Sequence, residues 1–316
     1  MTLQVGIIGL GQWGLNIYKT IIKDFPKVKI KAIQVKTGKL IKNIDENCNV
    51  YKNIDFMLKK EKLDCIFVAV PPKLNMFYFK KIVEKKIPLF IEKPLALNMF
   101  SMKKMIKISK TNLSLIHVNH IDIFNVAIKR LSTLVKNLVT AEFKILTSTK
   151  SKPYISPMID LTPHFIAVSI ILTREMPKHV LVVNQKIYQK FKDQTKRQMV
   201  SLNLIFKNQI ITITAGNGSK IKERNGKIIT KNKIFYYDNP ATGKNILRFS
   251  KIKGNKNINQ IKLKKTPSLT SSISYFFDNV RKKRKSTKDL YLSEKVLRVQ
   301  LAAEKSLLSG RLEKIL

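Results

Sequence analysis

Very little of this 316-residue chain is acidic: 20 Asp and Glu stand against 61 Lys and Arg, a formal net charge of +41. Arginine is scarce too, supplying nine of those 61 residues against 52 lysines. Surfaces built to read phosphate or bases favour the planar fork of arginine. No nucleic-acid motif accompanies the charge, and aromatic residues make up only 8% of the chain. The densest basic cluster, Arg281-Lys282-Lys283-Arg284-Lys285, reads as a short solvated loop. Drift toward lysine and isoleucine explains the charge more simply than a polyanion-binding surface does. A nucleic-acid partner is therefore not expected.

Cysteine is equally sparse. Cys48 and Cys65 show no metal-ligand spacing and no disulfide framework, as in a reducing compartment. Cys65 lies in the apolar run Cys65-Ile66-Phe67-Val68-Ala69-Val70, the place for a buried, inert thiol. No apolar run approaches the roughly 20 residues that cross a bilayer. The apolar stretch Val5–Leu10 leads straight into a glycine turn rather than a cleavage site. A soluble, cytoplasmic protein with no membrane partner and no metal is expected. The 44% hydrophobic content is ordinary, and the length suffices for two domains, each with its own core. No internal repeat is present.

What the chain does have is a regular alternation of strands and helices at its start. Gln4–Gly9, Val28–Val35, Cys65–Val70 and Leu89–Ile91 read as buried strands. Helical periodicity fills the intervals, with a further helix at Met99–Thr111 and a strand at Leu113–Val118. This pattern predicts a doubly wound parallel sheet over residues 1–118. The remainder, 119–316, changes to alternating stretches at Val139–Leu146, Val180–Ile187, Met199–Phe206 and Gln209–Ala215. Those suggest an α+β domain with a large open, mainly antiparallel sheet. Asn217–Asn259 is rich in Gly, Asn and Lys and reads as hairpins and surface loops. The chain closes on an amphipathic helix, Ser293–Leu308, available to pack back onto the first domain.

Three constellations carry chemistry. Gly9-Leu10-Gly11-Gln12-Trp13-Gly14 follows a strand and opens a helix, the setting of a dinucleotide phosphate loop. Gly9 permits the turn, Gly11 lets backbone approach a pyrophosphate, and Gly14 lets the helix pack closely. After the second strand, Gln34-Val35-Lys36-Thr37 offers no acid for ribose hydroxyls. Lys36 and Thr37 could instead meet a 2′-phosphate, a weak preference for NADP over NAD. Glu92-Lys93-Pro94 sits at the carboxyl end of a parallel strand, where such sheets bind ligands. Pro94 allows a cis peptide, and Lys93 could stabilise a substrate alkoxide. Asp160-Leu161-Thr162-Pro163-His164 puts a carboxylate and an imidazole at i, i+4, on one face if a helix begins near Asp160. Such a pair suits acid/base catalysis at neutral pH.

In this order the motifs resemble the Gfo/Idh/MocA oxidoreductase family, which joins a Rossmann domain to an open-sheet α/β substrate domain. The resemblance extends through Asp64–Pro72, Glu92–Ala96, Asp160–His164 and the tail around Ala302–Ser306, and is least over 217–265. It implies NAD or NADP as cofactor, held by Gly9, Gly11, Gln12, Trp13, Gly14, Lys36, Thr37, Val70, Pro71, Asn75, Glu92 and Lys93. Trp13–Asn16, His120–Asn125 and Asp160–His164 resemble a subgroup that oxidises nucleotide-activated amino sugars and uronates. In that subgroup the catalytic set corresponds to Lys93, Asp160 and His164, with His120 and Asn125 lining the site. The resemblance also implies a sugar or nucleotide-sugar substrate, a place in surface-polysaccharide synthesis and a homo-oligomer. Departures are Phe165, where the subgroup usually carries Asp, Ala167 in place of another acid, Asn75 where histidine is frequent, and Val126 where proline is. The alternative reading is a catalytically inactive cofactor-binding sensor or partner subunit of the same fold.

Overall fold

A computed structural model describes residues 2–36, 44–147, 156–185, 199–217, 219, 222–239, 245–254 and 256–316. Its helices, in chain order, are α1 (Gln12–Asp24), α2 (Ile54–Lys60), α3 (Asn75–Glu84), α4 (Met99–Asn112) and α5 (Val126–Leu134). They continue as α6 (Pro157–Asp160), α7 (Thr162–Thr173), α8 (Ser268–Arg281) and α9 (Lys288–Ser309). Among the described residues, none of these helices is long and apolar enough to cross a membrane. The chain divides into two compact units, Met1–Asn119 with Leu269–Glu294, and His120–Ser268 with Lys295–Leu316.

In the first unit, β1 (Leu3–Ile8), β2 (Val28–Gln34), β3 (Asn49–Tyr51), β4 (Cys65–Val68), β5 (Leu89–Glu92) and β6 (Ile116–Asn119) make one sheet. Its order is β3-β2-β1-β4-β5-β6, and every pair is parallel. The chain winds outward from β1, then returns to β4, which creates a topological switch point beside β1. Apart from Glu92 at its end, β4 and β5 are buried throughout, as strands covered on both faces must be. Cys65 is fully buried, and desolvation pushes its thiol well above the ordinary range.

Part of the chain expected in the second domain belongs here. On α8, Ile273, Phe276, Phe277 and Val280 recur at helical spacing and join the core of β1, β2, β4 and β5. Phe276 meets Phe67 and Phe90 edge-on, with ring centroids 5.3 and 5.6 Å apart. Each buried phenyl group contributes roughly 1.5–3 kcal/mol, enough to hold this late segment to the early sheet. The single boundary near 118 is thus only half of the division. The chain leaves the first unit after Asn119 and returns to it at Leu269.

The second unit is built on β7 (Leu138–Thr147), β8 (His179–Gln185), β9 (Met199–Ile205), β10 (Ile210–Asn217), β11 (Glu223–Thr230), β12 (Lys233–Asp238), β13 (Ile246–Lys251), β14 (Asn259–Gln260) and β15 (Glu313–Lys314). They form one sheet in the order β14-β13-β12-β11-β7-β10-β9-β8-β15. β7 and β10 are parallel at its centre, and every other pair is antiparallel. The segment read as hairpins and surface loops therefore supplies β11, β12 and β13, and β11 pairs directly with the central β7. The first half of β11 is only half-buried, so it lacks the strict alternation that marks a strand in sequence.

Helix α7 is buried on nearly every side. That explains the unusual Phe165: it is fully buried and stacks on Phe143 of β7, centroids 4.7 Å apart at 14°. An acid at position 165 would bury its charge against that ring. Ala167 is likewise fully buried.

Candidate active site

The glycine loop separates into two kinds of position. Gly9 has φ +85°, and a Cβ there would meet Ala69 O at 2.5 Å and Val70 Cγ1 at 2.9 Å. A Cβ on Gly14 would lie 1.9 Å from Gly9 O. These two glycines let the loop close on itself and on the end of β4, and Val70 and Pro71 follow directly. Gly11 differs, because its Cβ would meet nothing within 4 Å. It is the N-cap of α1, no side chain caps that helix, and its first turn carries no acid. Open space therefore faces the amides and the positive end of a helix dipole. This cradle fits a dinucleotide pyrophosphate. Gln12 and Trp13 are exposed in the same first turn.

At the end of β2 the only polar side chain turns inward. Buried Gln34 donates through Nε2 to Lys52 O at 2.9 Å and accepts from the Tyr78 hydroxyl at 3.1 Å. Lys36 stands exposed just beyond, while Thr37 lies outside the described residues.

Lys93 follows β5 directly, and the Lys93–Pro94 peptide is cis. The turn is held by buried Asn75 at the start of α3, whose Nδ2 donates to Pro94 O at 3.0 Å and Leu95 O at 3.2 Å. Asn75, expected at the cofactor, is thus seen fastening the backbone behind Lys93. Beside it, burial pushes the Glu92 carboxyl up to about 7. The Asn119 amide, the Lys93 charge and the Lys93 backbone N–H all pull in the opposite direction.

The second unit holds the histidine. His164 sits in the first turn of α7, 7% exposed. Its Nδ1 lies 2.5 Å from Oδ2 of Asp122, which is 3% exposed. The other Asp122 oxygen, Oδ1, lies 3.2 Å from Nη1 of Arg224 on β11. Tyr237 on β12 is close enough for the Asp122 charge to add to burial in raising its phenol. The carboxylate seen against the His164 ring is that of Asp122, whereas the sequence spacing points to Asp160. The physical reason lies at Leu161, where one helical turn ends and another helix begins. Asp160 is the last residue of α6 and is exposed, whereas His164 belongs to α7. Gln300 fixes the end of α6 by donating to Met158 O and Ile159 O.

Asp122 lies on a short 3-10 turn, Ile121–Phe124, that opens the second unit. His120, just before it, is 4% exposed. Asn125, expected to line a site, is fully buried and caps α5. Its Oδ1 accepts from the amides of Ala127 and Ile128, and its Nδ2 donates to Asn245 Oδ1 at 2.7 Å. Sequence reasoning named neither Asp122 nor Arg224. One available signal was the acid inside the His120–Asn125 stretch, and another was an arginine in a chain with only nine.

A switch-point sheet with an open, anion-seeking loop at the start of its first helix is the architecture of a dinucleotide-binding domain. The sequence agrees. Residues 3–120 match the model of the oxidoreductase family with an NAD-binding Rossmann fold (Gfo/Idh/MocA). No curated protein matches the chain. Among solved structures, UDP-N-acetylglucosamine 3-dehydrogenase from Acidithiobacillus ferrooxidans is similar in fold (TM-score 0.82, 16% identity, 98% of each chain covered). So is myo-inositol 2-dehydrogenase from Lactobacillus plantarum (TM-score 0.84, 15% identity, 100% of each chain). An oxidoreductase from Agrobacterium radiobacter, solved with NAD+, L-tartaric acid and magnesium, has TM-score 0.83 at 13% identity, covering 100% of this chain and 99% of that one.

Proposed function

We propose that the protein is an NAD(P)-dependent dehydrogenase acting on a secondary hydroxyl of a sugar or polyol, with a nucleotide sugar as the favoured substrate class. The observation that carries this reading is the buried His164–Asp122 pair in a chain whose residues 3–120 match the model of an NAD-binding oxidoreductase family. When bound, the nicotinamide supplies the hydride acceptor. The amides at Gly11 and the start of α1 would hold the pyrophosphate of the cofactor.

Asp122 holds the proton of His164 at Nδ1, which assigns exchange of the substrate proton to Nε2. Arg224 keeps Asp122 ionised, so the carboxylate stabilises the imidazolium formed when the hydroxyl is deprotonated. Lys93 donates a hydrogen bond to the developing alkoxide. Two similar structures are named as dehydrogenases of UDP-N-acetylglucosamine and myo-inositol, which supports a ring alcohol as substrate.

The test is to incubate the protein with NAD+ or NADP+ and a panel of UDP-sugars, GDP-sugars and free polyols, following reduced nicotinamide by absorbance. Turnover with at least one ring alcohol is expected. Lys93→Met should keep cofactor binding and lose turnover. Full activity in that variant, or cofactor binding without turnover across the panel, would overturn the assignment.

A further inference from the structure

We propose that His117, Ser272 and Asn119 form a one-way hydrogen-bond chain, anchored on Asp289, that orients Glu92 beside Lys93 and favours its ionised form. All five residues of this chain belong to the first unit. Asn119 Nδ2 donates to Glu92 Oε1 at 2.7 Å. Ser272 Oγ donates to Asn119 Oδ1 at 2.8 Å. His117 Nε2 lies 2.9 Å from Ser272 Oγ, and its Nδ1 lies 2.6 Å from Asp289 Oδ2. Asn119, Ser272 and His117 are each no more than 1% exposed, so water does not substitute for these partners.

Counting hydrogens fixes the direction. A serine hydroxyl has one proton, and Ser272 spends it on Asn119. Its oxygen must therefore accept from His117 Nε2–H. From His117 Nε2 through Ser272 to Asn119 Nδ2, each donor therefore points toward Glu92. Asn119 sits in the middle as an amide, which holds its protons firmly, so the chain polarises rather than conducts. Its end effect is to favour the charged Glu92 against the burial that opposes it.

The groups facing this chain are few and identifiable. Lys93 lies beside Glu92, with its charge and backbone N–H directed to the carboxylate. Around His117 stand the rings of Phe90, Phe276 and Tyr275, at 4.8, 5.9 and 5.7 Å. The Asp289 charge and Arg284 both act on Tyr275, whose phenol is raised chiefly by burial. Ser286 O accepts from Ile116 N at 2.9 Å, which sets the start of α9 against β6 and places Asp289 in its first turn. With Asn75 fastening Pro94 and Leu95, the Lys93 turn is held from both sides. These are positioning residues, and their link to turnover rests on the catalytic reading of Lys93.

The experiment is an infrared titration of the full chain without cofactor or substrate. The protonated-carboxyl band that disappears in Glu92→Gln reports Glu92. Ser272→Ala should raise the midpoint of that band by about one pH unit. Asp289→Asn, at the more exposed end of the chain, should raise it by a smaller amount. A merely structural network would lower the melting temperature and leave the midpoint where it was. Unchanged midpoints in both variants, or no band lost in Glu92→Gln, would overturn the proposal. If Ser272→Ala does not fold, Asp289→Asn decides alone. The titration needs no turnover, so failure of the dehydrogenase reading and failure of this chain are separately visible.

Discussion

Each unit of this protein buries one histidine against one aspartate, and the two pairs are nearly equal in length. His117 and Asp289 meet at 2.6 Å, His164 and Asp122 at 2.5 Å. What separates them is the next partner. In the first unit the imidazole passes its second nitrogen to Ser272, so both ring nitrogens are committed to the interior. In the second unit the further partner sits on the carboxylate, where Arg224 holds the other oxygen of Asp122. A cation beside the aspartate favours its charged form, which in the proposed mechanism lets the histidine gain and lose a proton. The same pair thus suits a fixed network in one place and acid/base work in the other.

The contrast is broken most sharply by removing each histidine. His164→Asn should lower turnover by about 10³-fold or more while shifting thermal stability little. His117→Asn should do the reverse. It leaves buried Ser272 and half-buried Asp289 without their partner, at a cost of about 1–3 kcal/mol in chemical denaturation, with turnover reduced to a lesser degree. Equal loss of turnover in both variants would erase the distinction.

Within the glycine loop a smaller contrast applies. Gly14→Ala forces its methyl group into Gly9 O and should impair folding or cofactor binding severely. Gly11→Ala has room for its methyl group and should fold normally. It should nevertheless weaken NADH binding by about tenfold in calorimetry, because that space is where a pyrophosphate approaches.

The smallest effect concerns pH. Burial lifts the Glu92 carboxyl to about 7, above its ordinary value of 4.5. The folded state therefore binds a proton there that the unfolded state releases. The stability that this group contributes is fully present below about 4.5 and is lost as pH rises through about 7. Glu92→Gln should remove that slope, so the melting temperature of the variant should gain on that of the wild type as pH rises from about 5 to about 8.

Much of the first unit could be read from contiguous sequence. The glycine loop, the short buried strands and the lysine after β5 are local patterns, each with a local physical cause. Partnerships between distant segments were not legible in the same way. His117 and Asp289 are 172 residues apart. The stripe Ile273, Phe276, Phe277 and Val280 shows that α8 has an apolar face, but not which core receives it. In the second unit His164 was recognisable, yet the spacing favoured Asp160. The break at Leu161, which ends α6 and starts α7, depends on tertiary contacts such as Gln300 on the α6 carbonyls. Arg224 was hidden because the first half of its strand is half-exposed and carries no clear period.

The most direct test of the second-unit assignment is nitrogen NMR of the histidine rings, with the chain's four histidines sorted by the signal lost in His164→Gln. Asp122→Asn should change the protonation pattern of His164 and lower its pKa, while Asp160→Asn should leave both at wild-type values. The opposite result, a His164 ring sensitive to Asp160 and indifferent to Asp122, would contradict the account.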